Sequence, residues 1–438
     1  MALFVRIVLA LASAASVTQA FSLGYEQRQA FKTWREHQIN QRLSSNRLAS
    51  RQQTNTCNGG PNYVLSLCPN TTYDITAPLE FANKYQEIST LGYPIDDQRA
   101  VLRVNGSRAD EQGGHTVAIG GGCDQCEGIQ IRNIQIDGNR QGAAPISGGA
   151  NIEIGGGAGG QLVDSNSTVR YNDIGPCGSD TFGHWADGIS LACKDSAVYE
   201  NWIKDPTDGG IVIFQSPGSL IENNTIWIEN NTCLGGINLV DYDPFAGNYT
   251  GVMFANNTEN AIIKIGLAVG LRVWFGTKWG DATAFGASVI GNKISGAFGF
   301  GMAVSGVNNF TILNNSIAGN TSFIGAKGPN CTTDDIVPPA VDFVVDPNTF
   351  VSSKIGGTVF KAHGITALLC VTPPRGGGNV WPLGTWPSSS SLANQTVSTP
   401  STETPASSWC LQGEDKRACL VRFAKDLLGI AIVFAKQK

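Results

Sequence analysis

Two segments of this chain carry acids at a spacing that suits joint chemistry. Gly183-His184-Trp185-Ala186-Asp187-Gly188-Ile189 is followed by Thr207-Asp208-Gly209-Gly210-Ile211. Asp187 and Asp208 are 21 residues apart, and each introduces glycine and then a β-branched run. If 21 residues make about one turn of a repeating coil, the two acids sit roughly 4.8 Å apart, the spacing of adjacent strands. Carboxylates that close raise each other's proton affinity, so one stays protonated while the other is ionised. Glycoside cleavage requires that division of labour. Asp208 is expected to be the general acid. Asp187 is expected to activate water or stabilise the cation, and with retaining geometry one of the two would be a nucleophile.

Other candidates gather around the pair. Asp180 precedes the first motif, and Gly235-Gly236-Ile237-Asn238-Leu239-Val240-Asp241-Tyr242-Asp243 adds two acids and an aromatic. Lys264 and Arg272 suit an anionic or hydroxyl-rich substrate. Trp185, Trp202, Trp227, Tyr242, Trp274 and Trp279 offer rings on which the C–H faces of sugars stack. His184 reads as a groove residue and not as a metal ligand, since His37, His115 and His363 are distant in sequence. A structural reading competes, because Asp-Gly is an ordinary turn dipeptide and aromatics also stack in cores. The placement of the acids as a pair, more than either residue alone, favours chemistry.

The element that must position them is a repeat. Apolar-x-x-Asn-x-Ile occurs at Val169…Asn172…Ile174, Val198…Asn201…Ile203 and Ile221…Asn224…Ile226, and returns at Val289…Asn292…Ile294 and Ile312…Asn315…Ile317. The Asn positions step by 29, 23, 68 and 23 residues. Because 68 is close to three times 23, a coil of about 23 residues is expected, with three coils between Asn224 and Asn292. Asn tolerates the left-handed conformation that a sharp turn needs, and amides stacked in register can hydrogen-bond above and below. Val and Ile supply inward β-branched side chains. The fold class is therefore all-β, a right-handed parallel β-helix whose coils contact mainly their neighbours.

Composition agrees. Of 438 residues, 53 are Gly and 33 are Asn, and only 15% are charged. This suits many short strands joined by turns. Thirty Lys and Arg against 35 Asp and Glu leave a net charge of −5, without the polycationic footprint of nucleic-acid binding. With 42% hydrophobic residues, the chain is not disordered. Gly155–Gly160 formally satisfies Gly-x-Gly-x-x-Gly, but Gln161-Leu162-Val163-Asp164 does not open a helix, so a dinucleotide site is rejected.

Residues 1–20 read as a secretory signal, with Arg6 ahead of a short apolar run and Ala20 at the cut. The protein is then extracellular or wall-associated, a monomer without a transmembrane span. Residues 21–56 form a polar cap or pro-segment, 57–387 the β-helix, 388–408 a Ser/Thr/Pro-rich linker and 409–438 a tail. In an oxidising compartment the 11 Cys should mostly pair. Near-neighbour pairing gives Cys57–Cys68, Cys123–Cys126, Cys177–Cys193, Cys331–Cys370 and Cys410–Cys419, with Cys233 alone. Twelve Asn-x-Ser/Thr sequons are present, several of them inside the repeated turns.

The repeat and the Asp-Gly-Ile segments resemble secreted fungal right-handed β-helix proteins of the pectin-lyase-like superfamily, over roughly residues 57–387. The resemblance implies a polysaccharide lyase or glycoside hydrolase with a groove along the helix. Asp187-Gly188-Ile189 and Asp208 are similar in spacing to the first two acidic motifs of polygalacturonase-type hydrolases. Those hydrolases double the second Asp, whereas Gly209 follows Asp208 here. They carry Gly-His-Gly near Leu234-Gly235-Gly236, and Ile263-Lys264-Ile265 keeps only the Lys of their Arg-Ile-Lys. Galacturonan specificity is thus not implied. No cofactor is expected for a hydrolase. A lyase would instead gather Asp180, Asp187, Asp208, Asp241 and Asp243 at calcium, with Lys or Arg as base. A non-catalytic glycan-binding solenoid is the remaining alternative.

Overall fold

The computed structural model describes residues 60–105, 117–123, 126–140, 146, 149–155, 164–178, 185–229, 233–239, 247–275, 281–319, 321–323 and 341–365. Short strands follow one another and pair in parallel with the equivalent strand one coil away, as in a right-handed parallel β-helix. Ten strands, from Val64–Leu67 to Lys354–Gly356, form one sheet among the described residues. A broader sheet contains Ala150–Gly155, Asp187–Lys194, Gly209–Ile213, Cys233–Leu239, Thr258–Val269 and Lys293–Val304.

The β-branched repeats explain the core. In the ten-stranded sheet Ile88, Ile131, Val169, Val198, Ile221, Phe254, Val289 and Ile312 are successive register partners, all 0–1% exposed. In the broad sheet Ile119, Ile152, Ile189, Ile211, Ile237, Leu267 and Met302 form a second buried row. Each such side chain is worth about 1.5–3 kcal/mol when fully buried. The rows pack like on like, so the core is a set of stacks along the axis.

Between the sheets runs a ladder of buried amides. Asn172 Nδ2 donates to Asn201 Oδ1 at 3.0 Å, Asn201 to Asn224 at 2.9 Å and Asn224 to Asn257 at 3.0 Å. Asn257 donates to Asn292 at 2.9 Å, and Asn292 to Asn315 at 2.8 Å. Each Oδ1 also accepts the backbone N–H of the preceding rung, as from Asn224 to Asn257 at 3.0 Å. The expected stacking of the Asn is present, with two corrections. The left-handed residue is the one before each rung: Tyr171, Glu200, Asn223, Asn256, Gly291 and Asn314 all have φ between 54° and 66°. The ladder Asn is instead chosen for an amide that donates and accepts at once.

The second correction concerns coil length. Asn257 lies between Asn224 and Asn292, so that span holds two coils of 33 and 35 residues and not three of 23. Asn257 escaped the pattern because Glu259 occupies the register position between Ile226 and Ile294. The extra length leaves the strand pairing in register.

A shorter serine stack pins another corner. Ser167 N–H donates to Ser196 Oγ and Ser196 N–H to Ser219 Oγ, both at 3.1 Å. Of the expected disulfides, Cys123–Cys126 is formed. Cys177 is a buried thiol, so the Cys177–Cys193 bridge is absent: its Sγ faces the carbonyls of Ala186 and Asp187, while Cys193 Sγ lies 2.8 Å from Ser196 Oγ. Cys68 is an exposed free thiol, and its expected partner Cys57 lies outside the described residues, as do Cys331, Cys370, Cys410 and Cys419. The proposed signal, N-terminal segment, linker and tail also lie outside them.

Replacing Asn224 by Ala removes the acceptor of two N–H donors and the donor to Val198 O and Asn257 Oδ1. Buried groups left unpaired cost about 1–3 kcal/mol each, so Asn224→Ala should lose about 3–5 kcal/mol in a urea titration. Asn223→Gly, at the adjacent left-handed position, should cost under about 1 kcal/mol.

Candidate active site

Strand Asp187–Lys194 is entered at an irregular point that repeats on the next two coils. A Cβ added to Gly188 would meet Gly210 O and Ile203 Cγ2, in the interior. One added to Gly209 would meet Val212 Cγ2, Asn238 Nδ2 and Asp187 Oδ1, on the outer face. Strict alternation would set residues 209 and 212 on opposite faces, so the pleat breaks there. The break turns an acid at the strand entrance outward, while Ile189, Ile211 and Ile237 stay in the core.

Asp187 is the centre of this arrangement. It is 9% exposed. Its Oδ1 accepts the Gly209 N–H at 2.7 Å, and its Oδ2 accepts from Ser190 Oγ at 2.8 Å. Burial first, and then the charge of Asp208, push its proton affinity far above the usual carboxylate range against the pull of those two donors. Asp208 keeps partial solvent access, and burial raises it to about 6. The neighbour of Asp187 across the strands is therefore Gly209, with Asp208 one residue earlier, and the two acids are offset instead of level.

The offset has a steric cause. Val212, Asn238 and Asp187 converge above Gly209 within 2.9 Å of where a Cβ would stand. A second acid at that position, as in the polygalacturonase-type motif, has no room. Two further contacts hold the turn before Asp208: the Ala186 N–H donates to Thr207 Oγ1 at 2.7 Å, and Asp208 N–H to Ala186 O at 3.0 Å. On the next coil the thiol of Cys233 donates to Asp208 O at 2.9 Å, and Gly235 N–H donates to the same oxygen at 3.0 Å.

Burial raises both carboxyls, and Asp187, the deeper of the two, also faces its neighbour's charge.

The other candidates divide. Lys264 follows Leu234 and Asp208 along one row, two strand spacings from Asp208, or roughly 10 Å between backbones. It is half-buried, and burial lowers it to about 8. Trp274, on the short helical turn Arg272–Phe275, donates Nε1–H to Asn238 Oδ1 at 3.3 Å. Arg272 pairs with the exposed Asp281 at 3.0 Å. Trp185 is 6% exposed and belongs to the interior, not to a sugar-stacking surface. Trp202 and Trp227 meet edge to face on the strands Trp202–Lys204 and Thr225–Trp227, apart from the pair. Asp180, His184, Asp241, Tyr242, Asp243 and Trp279 lie outside the described residues. Among the described residues no group of three His, Cys, Asp or Glu is placed to hold a metal ion.

Sequence reasoning missed the row that runs beside Asp187. Glu80, Gly120, Glu153, Ser190, Val212 and Asn238 are successive register partners. Glu80 folds its carboxylate over Gly120, where a Cβ would lie 2.1 Å from Oε2. Burial, and then the charge of Glu80, raise Glu153 to about 7. Alignment of Ile152, Ile189, Ile211 and Ile237 would have exposed this row, because the residue after each belongs to it.

Compared with protein families and with characterised proteins, the chain matches none. Among solved structures it is similar to the A-module of the mannuronan C-5 epimerase AlgE6 of Azotobacter vinelandii, with 14% identity, a TM-score of 0.42 and coverage of 71% of this chain and 91% of that one. It is also similar to the endo-xylogalacturonan hydrolase of Aspergillus tubingensis, with 14% identity, a TM-score of 0.39 and coverage of 74% and 91%. A third is the lidless DFA-IIIase of Arthrobacter chlorophenolicus A6, with 13% identity, a TM-score of 0.37 and coverage of 67% and 83%. Likeness of this depth carries no argument about chemistry, which rests on the residues above.

The raised carboxyls make stability depend on pH. Asp187, Asp208 and Glu153 bind protons more tightly folded than unfolded. Their contribution is complete below about pH 4; it is lost as pH rises through about 6 for Asp208 and about 7 for Glu153, and at higher pH for Asp187. Asp187→Asn should raise Tm at pH 8 and flatten the loss between pH 5 and 8, as read by calorimetry.

Proposed function

We propose that this chain is an exported carbohydrate-active enzyme, a glycoside hydrolase that cleaves a cell-wall polysaccharide. The observation that carries the reading is the Asp187–Asp208 pair, two acids of adjacent coils offset by one residue in register, both raised by burial. Asp187 donates its proton to the glycosidic oxygen as the C–O bond breaks. Asp208, ionised and reached by solvent, takes a proton from the water that attacks the anomeric carbon. Lys264 and the Asn238–Trp274 pair lie further along the same sheet, where the next sugars of the chain would rest. The signal pattern of residues 1–20 supports export. No helix among the described residues is long and apolar enough to cross a membrane.

One observation favours a second reading. Lys264, lowered to about 8, is neutral in a useful fraction of molecules and could abstract a sugar proton, as the base of a lyase does. Calcium would then be an added requirement.

Asp208→Asn and Asp187→Asn should each slow cleavage of a wall polysaccharide by about 10²–10⁴-fold, read as new reducing ends. With an aryl glycoside whose leaving group needs no proton, Asp187→Asn should recover activity and Asp208→Asn should not. Recovery of Asp208→Asn instead would exchange the roles. Ultraviolet absorbance from unsaturated ends would identify a lyase, and tight binding without product would identify a binder.

The pH profile is a separate test. kcat/KM should rise as pH rises through about 6, where Asp208 ionises, and fall at higher pH as Asp187 loses its proton. A profile that falls through pH 6 would reject this assignment.

A further inference from the structure

The ten-stranded sheet carries a second set of charges that the cleavage reading does not use. Arg132 and Arg170 are register partners on adjacent coils, followed by Tyr199 on the next. Arg132 lies over the Tyr93 ring, with Cζ 3.9 Å from its centroid, and Nη2 donates to Glu87 Oε2 at 2.9 Å. The other oxygen of Glu87 accepts from Ser89 Oγ at 2.6 Å. Arg170 Nη1 donates to the Tyr199 hydroxyl at 2.8 Å. Arg170 has no carboxylate partner among the described residues. The Nε of both arginines is buried without a hydrogen-bond partner.

Two guanidiniums a strand spacing apart therefore share one carboxylate. A guanidinium does not shed its proton in a protein, so the excess charge is left to Glu87, to water or to an added anion. Burial, and then the charge of Arg132, already work against Arg170. Glu222, the register partner of Tyr199 one coil on, forms no ion pair among the described residues. A purely structural stack of arginine on tyrosine would account for the ring contacts. It would leave the surplus charge and both Nε–H donors unmet.

We propose that Arg132 and Arg170 form a binding site for an oxyanion carried on a glycan, a carboxylate or a sulfate ester. Arg170 Nε is covered in the free chain, so the anion engages the Nε–Nη2 fork in a bidentate manner by moving that cover aside. Tyr93, 40% exposed, forms its outer rim. The site lies on a different sheet from Asp187 and Asp208, so it would retain a charged glycan beside the cleavage face instead of within it.

The test is titration of the full chain at constant ionic strength, set with chloride, against an oligogalacturonate, a sulfated oligosaccharide, a neutral glucan oligomer and sodium sulfate. Saturable binding of either charged oligosaccharide, with none of the neutral one, is expected, and the arm that binds names the group. Arg170→Gln should weaken it at least about tenfold and Arg170→Lys less, since Lys keeps charge without the fork. Arg170→Gln should leave the rate of any cleavage of a neutral glycan unchanged, which separates this site from the cleavage site. Without anion, Arg170→Gln should have an unchanged or higher Tm, because a like-charge contact is relieved. The proposal is overturned if neither charged oligosaccharide binds, if only sulfate binds, or if Arg170→Gln lowers Tm and leaves binding intact.

Discussion

Everything in this molecule depends on the repeated placement of one coil upon the next at a single strand spacing. The backbone pairing alone does not choose which residue meets which, since a parallel strand slipped by one residue pairs equally well. The buried amide ladder makes that choice. An Asn side chain that slips leaves one backbone N–H, the amide of the preceding rung and its own amide unpaired in the core. That penalty outweighs any gain from looser packing. The ladder holds register even where coils grow from 23 to 35 residues, because the added chain is placed in turns and the rung is kept.

In-register stacking also explains why a weakly charged protein can bring acids together. A residue's neighbours in space are the residues one coil before and after, so two acids separated by a coil in sequence must meet. Asp187 and Asp208 meet at the entrance of a strand whose pleat is broken. Glu80 and Glu153 meet across Gly120, and Arg132 meets Arg170 on the other sheet. In each case glycine or an aromatic ring supplies the space. Gly209 is the clearest example, since the absence of a side chain there lets Asp187, Asn238 and Val212 converge.

The fold was legible because its determinants are local and repeated. The apolar-x-x-Asn-x-Ile pattern marks one corner and two core rows at once, and five of the six rungs could be read directly. Asn257 could not, because Glu259 interrupts the Ile row, and so the coil count there was wrong. The site was legible in its residue types and not in its geometry. Spacing brought Asp187 and Asp208 to the same place, but not their one-residue offset or their unequal depth. Neither is written in periodicity. Trp185 shows the same limit: residue type suggested contact with sugar, whereas the ring is buried. Cysteine arithmetic failed at Cys177, where proximity in sequence is not proximity of thiols on a coil.

The two pinned corners have one more effect. The strands bearing Asp187 and Gly209 are each entered after an Asn rung, at Asn172 and Asn201, and left before a Ser rung, at Ser196 and Ser219. Two acids in a compliant wall would drift apart and admit water, easing both the burial that raises them and the repulsion that adds to it at Asp187. Here both ends of each strand are fastened to the neighbouring coil, so separation is closed as a route of relief. The electrostatic work is taken up by proton uptake. Mechanical stiffness in the corners thereby becomes basicity at the carboxyls.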